Sequence, residues 1–118
     1  NLFEGEIVDI HLVLSPTIWL ELPPHLAALP RGRYTFGIRA SGITLDSAGF
    51  PFQIELAEIS GSETFLHLQH EQVHVVGLLD SVQNFDIGQT VTAGIDSSAL
   101  YAFDQSGNLV ASPYGGTK

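Results

Sequence analysis

Apolar and polar residues alternate along much of the chain with a period of two residues. In the first half this alternation is clearest in four runs, residues 6–13, 18–22, 33–38 and 52–56. Side chains of a β-strand point alternately to its two faces, so a period of two predicts strands with one buried face. The second half predicts further strands at residues 64–70, 73–79, 90–95, 100–103 and 109–111.

Turn-forming residues separate the runs of the first half. They are Ser15-Pro16, Pro23-Pro24, Pro30-Arg31-Gly32 and Ser47-Ala48-Gly49, with Pro51 just beyond. Glycine and proline interrupt regular structure, so each cluster predicts a turn or loop. Residues 24–29 are the one helical candidate, and they are too few for more than a single turn. Many short strands joined by glycine-rich turns predict an all-β fold, either an antiparallel barrel or a sandwich.

A short internal repeat refines this architecture. Residues 37–43 align without gaps on residues 94–100, and each segment follows a turn that contains glycine, at Gly32 and at Gly88. Two interlocked half-barrels, covering about 1–50 and 51–111, would produce such a repeat. Chance similarity between two strand-turn-strand units is the alternative, because short matches are common. The segment 112–118 has little to bury and is expected to be a flexible tail.

The charge of the chain limits its partners. Thirteen acidic residues against four basic ones give a formal net charge of −9 over 118 residues. This field repels phosphate backbones and anionic lipid surfaces, so nucleic acid is not expected as a partner. No apolar stretch approaches the ~18 residues that a membrane-spanning helix needs, so direct membrane insertion is not expected either. The length predicts one small domain.

Two residue types are missing altogether. The sequence has no cysteine and no methionine, and it begins with Asn1. Without cysteine there is no disulfide framework and no thiolate nucleophile or metal ligand. The absence of an initiator methionine indicates a piece of a longer product. The sequence also lacks a G-x-x-x-x-G-K-[ST] motif, its only lysine being Lys118, so we do not expect this chain to bind ATP in the P-loop manner.

One motif points to metal chemistry. His70-Glu71-Gln72-Val73-His74 matches H-E-x-x-H, in which two histidines on one helix face bind zinc and the glutamate activates a water. In a strand, however, His70 and His74 lie roughly 13 Å apart, too far to share an ion. The flanking alternation favours a hairpin with Glu71-Gln72 at its tip and Leu68 opposite Val75. Residues 66, 68, 73 and 75 would then share one apolar face.

Other side chains receive structural interpretations. Trp19 lies between Ile18 and Leu20 and is predicted to fill the core. Strand alternation places Glu55 and Glu58 on opposite faces, so we do not expect them to act together as general acid and base. No serine lies in a G-x-S-x-G setting, and the sequence therefore predicts no catalytic residue.

Three sequence words together resemble a known family. The first, Gly37-Ile38-Arg39, is followed by Ala40-Ser41-Gly42, and the second is Gly61-Ser62-Glu63-Thr64. The third runs from Ile95-Asp96 to Phe103-Asp104. These words resemble the G-I-R-P-E-H, L-G-S-E-T and F-D-x-x-x-x-x-x-F-D words of the C-terminal TOBE regulatory domain found in ATP-binding subunits of ABC importers. The resemblance covers residues 2–109; the Pro-Glu-His of the first word and the first Phe of the third are replaced here.

The resemblance implies a fold and a function. It implies an OB-like antiparallel barrel that pairs with a second copy of the ATPase subunit in a homodimer and tunes its cycle, without catalysis of its own. ATP and Mg are then expected in a nucleotide-binding domain outside this chain, and the transporter's membrane subunits contact that domain. A regulatory protein is a further expected partner. The intact G-S-E-T word is most similar to the branch that imports sugars, which implies a cytoplasmic, peripheral location at the inner face of the cell membrane.

Two other functions remain open from the sequence. A stand-alone β-barrel that binds a small ligand would have a pocket that saturates with ligand and no attached ATPase. A zinc metalloprotease would need His70 and His74 as ligands, Glu71 as the base, and a helix through all three.

Overall fold

The computed structural model describes residues 1–113 and 116–117. This part of the chain contains no α-helix and forms eleven strands, which confirms the predicted all-β class. The strands are β1 (Leu2–Val8), β2 (His11–Ser15), β3 (Ile18–Glu21), β4 (Gly32–Gly37), β5 (Ile43–Ser60), β6 (Glu63–His70), β7 (Val73–Leu79), β8 (Thr90–Ile95), β9 (Tyr101–Phe103), β10 (Leu109–Ser112) and β11 (Gly116–Thr117). Three 3₁₀ turns accompany them, Pro24–Leu26, Ala40–Gly42 and Ser97–Ala99. None of the described helical turns has the length or apolar character needed to traverse a bilayer.

The chain folds into two compact units. The central unit contains Arg39–Asp96 together with Asn1, and the terminal unit contains Leu2–Ile38 and the chain from Ser97 onward. Seven antiparallel strands form the sheet of the terminal unit, in the order β11-β10-β9-β4-β1-β2-β3. Four antiparallel strands form the sheet of the central unit, in the order β7-β6-β5-β8. One sheet curls into a half-barrel, which is consistent with the predicted OB-like architecture.

The terminal unit has an unbroken antiparallel ladder between β1 and β4 and a buried apolar face, while its β2–β3 and β9–β10 pairs each shift register once. β1 pairs with β4 from Leu2↔Gly37 to Ile7↔Gly32, and alternate residues of both strands are buried. Phe36 is fully buried, with its ring centroid 6.5 Å from that of Phe3. A Cβ on Gly5 would lie 2.9 Å from Leu14 Cδ2, so the missing side chain makes room for this core.

The central unit is built around the 18-residue strand β5. β8 pairs with β5 twice, first with residues 43–45 and again with residues 50–53, and the register shifts between Leu45 and Phe50. Within this irregular stretch a Cβ on Gly49 would lie only 2.1 Å from the Ala93 carbonyl oxygen, so the backbones approach too closely for any larger residue. The turn predicted at residues 47–49 is therefore wrong, because the strand continues through it with a bulge.

A second prediction fails at the start of the chain. The run 6–13 was expected to be one strand, but it divides into β1 and β2 with a turn at Asp9-Ile10. Asp9 takes a left-handed backbone conformation, with φ of 53°. Aspartate tolerates this conformation better than most residues, which allows a tight reversal without glycine. The helical candidate 24–29 is confirmed as a single 3₁₀ turn.

The internal repeat coincides with the two places where the chain passes from one unit to the other. β4 and β8 are each followed by a 3₁₀ turn, and Ala40–Gly42 and Ser97–Ala99 occupy equivalent repeat positions. The unit boundaries lie at 38/39 and 96/97, whereas the half-repeats predicted from the sequence meet at 50/51. Of the predicted tail 112–118, Ser112 pairs with Gly116, while residues 114, 115 and 118 lie outside the described residues.

Candidate functional site

The G-S-E-T word forms the turn between β5 and β6. Gly61 has φ of +62°, and no atom lies within 4 Å of the position that a Cβ would take. Glycine is therefore favoured here by backbone conformation and not by lack of space. Ser60 and Glu63 pair across the turn as the last rung of the β5–β6 ladder, and Ser62 is exposed.

Thr64 ends the word and is fully buried. Its hydroxyl donates a hydrogen bond to the Ser81 carbonyl oxygen at 2.8 Å and accepts one from the Gln83 amide at 3.3 Å. One side chain thus attaches the segment that follows β7 to the inner face of β6. This role could not be predicted from the sequence, because a threonine in an alternating strand fits the same pattern whether or not its hydroxyl forms hydrogen bonds.

Two residues of the family words, Arg39 and Asp96, lie where the chain passes from one unit to the other. Gly37 ends β4, Ile38 is buried and Arg39 is exposed. Arg39 and Asp96 both contact Gly42 through their backbones: the Arg39 carbonyl accepts from the Gly42 amide, and the Asp96 amide donates to the Gly42 carbonyl, each at 2.9 Å. The first and last residues of the segment Arg39–Asp96 are therefore both hydrogen-bonded to the same glycine.

Asp104 holds the turn between β9 and β10. Its Oδ1 accepts hydrogen bonds from the backbone amides of Ser106 and Asn108, both at 2.9 Å. The Asn108 amide contributes most to lowering the pKa of the Asp104 carboxyl below its ordinary value, and the Ser106 amide adds to the effect. Phe103 precedes this turn and pairs with Thr35 on β4. The third word thus has a structural role as a turn.

The histidine motif lies in the predicted hairpin. Leu68 is opposite Val75 and His70 is opposite Val73, so the hairpin and its register are confirmed. Glu71 at the tip has φ of 51°. The helix that a zinc protease requires is not formed at His70–His74, and that interpretation fails on geometry. Within the described residues no three His, Cys, Asp or Glu side chains are grouped as a metal site.

The histidines instead pair with glutamates on the outer face of the central sheet. His67 Nε2 lies 2.6 Å from Glu58 Oε1, and His74 Nδ1 lies 3.0 Å from Glu55 Oε1. His67 and His74 share one face, since the cross-strand partner of His74 is Gln69, two residues from His67. Both glutamates therefore reach the same face.

This result corrects the prediction that Glu55 and Glu58 lie on opposite faces. Ile54 is opposite Leu68 and Leu56 is opposite His67, so β5 has one extra residue, Glu55, in a β-bulge. The extra residue shifts the alternation and turns the second glutamate toward the face of the first.

A small hollow lies beside the hairpin tip, with a volume of about 290 Å³. His70 and Phe52 line it, with ring centroids 5.7 Å apart. His70 Nδ1 donates to the Pro51 carbonyl oxygen, and Nε2 lies 3.3 Å from Glu71 Oε1. Both ring nitrogens thus face oxygen acceptors of the protein itself.

A second hollow of about 290 Å³ lies in the terminal unit at the β1–β2 and β2–β3 turns. Its apolar lining includes Trp19, whose residue surface is 52% exposed, so the prediction that Trp19 fills the core is wrong. Ile18 is fully buried instead. The His11 ring meets Trp19 edge to face, with centroids 4.8 Å apart and planes at 78°. Asp9 also lines the hollow.

Comparison with known proteins adds no family name. Neither the protein-family models nor the curated proteins contain a match to this chain. The described structure defines a class, a two-unit all-β domain, and neither of the two hollows is lined by a residue of the three family words.

Proposed function

We propose that this chain is a non-catalytic regulatory and dimerisation domain of the TOBE type, belonging to the ATP-binding subunit of an ABC importer for a sugar or a related solute. In this proposal the catalytic P-loop domain, with its ATP and Mg, lies outside the chain. A second copy of the subunit, the transporter's membrane subunits and a regulatory protein are its partners at the inner face of the cell membrane.

One observation carries the proposal: several residues of the family words form turns, anchor a loop or lie at the ends of a unit. Gly61 and Asp104 form turns, Thr64 anchors a loop, and Arg39 and Asp96 begin and end the main segment of the central unit. A domain that acts by presenting surfaces to its partners is expected to use the residues of its family words for turns and unit boundaries. A catalytic domain would instead direct such residues into a cavity.

The test is the coding sequence upstream of Asn1. We expect it to encode a P-loop ATPase domain joined directly to this segment. A start codon immediately upstream, or an unrelated domain, would contradict the proposal.

A biochemical test follows with the full-length parent. Deleting the segment is expected to leave nucleotide binding intact and to lower the dimer fraction measured by light scattering, since the paired domains hold the dimer. Unchanged dimerisation after deletion would remove the dimerisation role.

A further inference from the structure

The hollow around Trp19, which we call the Trp19 site, is an open concave surface of the terminal unit. It is lined by Trp19, Val8, Val13 and Pro16 on its apolar side and by Asp9 and His11 on its polar side. Its remaining polar residue, Ser15, is already engaged, because the Ser15 hydroxyl accepts hydrogen bonds from the backbone amides of Thr17 and Ile18.

The Trp19 residue is about half exposed. An edge-to-face contact with His11 covers at most one face of Trp19, and the residue remains 52% exposed. An indole face attracts cations through the negative potential of its ring, and tryptophan is the best of the aromatic residues for this interaction. β3, which carries Trp19, is the last strand of its sheet, so an incoming chain reaches the ring without displacing another strand.

The charges around the Trp19 ring also favour a cation as the ligand. Asp9 lines the hollow, and Glu21 is the cross-strand partner of His11. Among the described residues neither carboxylate takes part in an ion pair, whereas the nearby Glu4 and Glu6 both have Arg33 within 4 Å. The net charge of −9 adds a long-range field that attracts cations and repels anions.

The size of the hollow fits a single side chain. Pockets for drug-sized molecules span roughly 300–1,000 Å³, and this hollow lies at or below the lower limit. A guanidinium group can stack on the ring while its N–H groups donate to a carboxylate, which an ammonium group does less well.

We propose that the Trp19 site binds an arginine side chain from a basic segment of a partner protein, with the guanidinium stacked on Trp19 and paired with Asp9. The site uses residues of the terminal unit alone and does not depend on the proposed importer function.

The test uses the fluorescence of Trp19, which is the only tryptophan of the chain. The full chain is titrated with acetyl-Arg-Arg-Arg-amide and with the matching peptides of lysine and of citrulline, the uncharged isostere of arginine. We expect a saturable change with the arginine peptide, weaker binding of the lysine peptide and none of the citrulline peptide. Equal binding of the citrulline peptide, or no saturation, would overturn the proposal.

Matched variants distinguish binding at the Trp19 site from attraction by the overall negative charge of the chain. Asp9→Asn removes one charge and keeps a residue that tolerates the left-handed conformation, and we expect it to weaken binding about fivefold. Asp80→Asn removes the same charge in the central unit, where Asp80 is exposed, and is expected to have little effect. Equal losses in both variants would mean that only net charge is being measured, and the proposal would fail.

The ring is tested by calorimetry, since its replacement removes the fluorescence signal. We expect affinity to fall in the order wild type, Trp19→Phe, Trp19→Leu, with a loss of about tenfold for leucine. An unfolding midpoint close to that of the wild type would show that each variant is folded. Wild-type affinity in folded Trp19→Leu would contradict stacking on the ring.

Discussion

The outer faces of the two sheets neutralise their acidic residues differently. On the central sheet, Glu58 and Glu55 are paired with His67 and His74. On the terminal sheet, Arg33 lies 3.8 Å from Glu4 and 3.9 Å from Glu6. In a chain with only four Lys and Arg residues, histidine takes over the role of a basic partner on one face. The other face exposes an aromatic ring near Asp9 and Glu21, which take part in no ion pair among the described residues.

The units also differ in where their register shifts lie. β1 and β4 form an unbroken ladder in the middle of the terminal sheet, and the shifts of that sheet lie in the β2–β3 and β9–β10 pairs. In the central unit the long strand β5 shifts register against both of its neighbours. The bulge at Glu55 is what brings both glutamates to the histidine face. The charge pattern of the central sheet therefore depends on its irregular backbone.

The largest effects on stability are expected from adding a methyl group to a closely packed glycine, which each unit has in its own interior. In Gly49→Ala the new methyl group would meet the Ala93 carbonyl oxygen at 2.1 Å, and rigid backbone cannot yield. We expect a loss of about 3 kcal/mol or more in the free energy of unfolding, measured by urea denaturation. In Gly5→Ala the neighbours are side chains of Leu14 and Phe36 at 2.9–3.0 Å, so about 1–2 kcal/mol is expected. A larger loss of stability for Gly5→Ala than for Gly49→Ala would contradict this contrast between side-chain and backbone neighbours.

A smaller effect is expected at the buried hydroxyl of the central unit. Thr64→Val keeps the shape of the side chain but leaves the Ser81 carbonyl and the Gln83 amide without their partner. We expect a loss of about 1–2 kcal/mol. Thr92→Val, at an exposed position of β8, is the matched control and is expected to change stability by less than about 0.5 kcal/mol. Equal effects would show that the Thr64 hydroxyl does not anchor the loop.

The stability that Asp104 gives to the β9–β10 turn is expected to depend on pH. Because the pKa of Asp104 is lowered below its ordinary value of 3.8, its carboxylate stabilises the fold above that pH, and this contribution is lost as the pH falls through the folded-state pKa. Asp104→Asn removes the titration, so the stability difference between wild type and variant should shrink in acid below about pH 4. Thermal unfolding at several pH values measures this, and a difference that grows in acid would reverse the sign that we assign.

The smallest effect is expected at the histidine face itself. His67 and Glu58 are 34% and 57% exposed, so solvent screens their attraction despite the short contact. A double-mutant cycle with His67→Gln and Glu58→Gln is expected to give a coupling energy of about 0.2–1 kcal/mol. A coupling above this range would mean that the pair contributes to the fold as strongly as a buried contact does.

The sequence predicted the parts of the fold that follow from local alternation. The β6–β7 hairpin was predicted with its register because Leu66, Leu68, Val73 and Val75 can share one face only with Glu71-Gln72 at the tip. Alternation also placed Ile18 and Trp19 on opposite faces, but it does not say which face is inside. That choice depends on the other strands of the sheet, and here the smaller side chain was buried.

Other features depend on long-range contacts that leave no local pattern. The extra residue at Glu55 shifts the alternation, and its position is visible only against β6. Gly49 resembled a turn signal, and only its approach to Ala93 explains it as a strand residue. The Trp19 site combines residues from two successive turns and was therefore missed. The role of the family words in binding a partner stays a prediction.

The insertion of the central unit between residues 38 and 97 has a consequence for the order of folding. β4 cannot pair with β9 until the whole intervening unit has brought its two ends together. Closing a loop through an already compact unit costs far less chain entropy than closing the same length of unfolded chain. We therefore expect amides of β5–β8 to gain protection in pulse-labelling hydrogen exchange before those of Ala102 and its neighbours on β9. The repeated strand-and-turn segments at the crossings would then act during folding as well, by holding the ends of the central unit at the spacing that the terminal sheet needs.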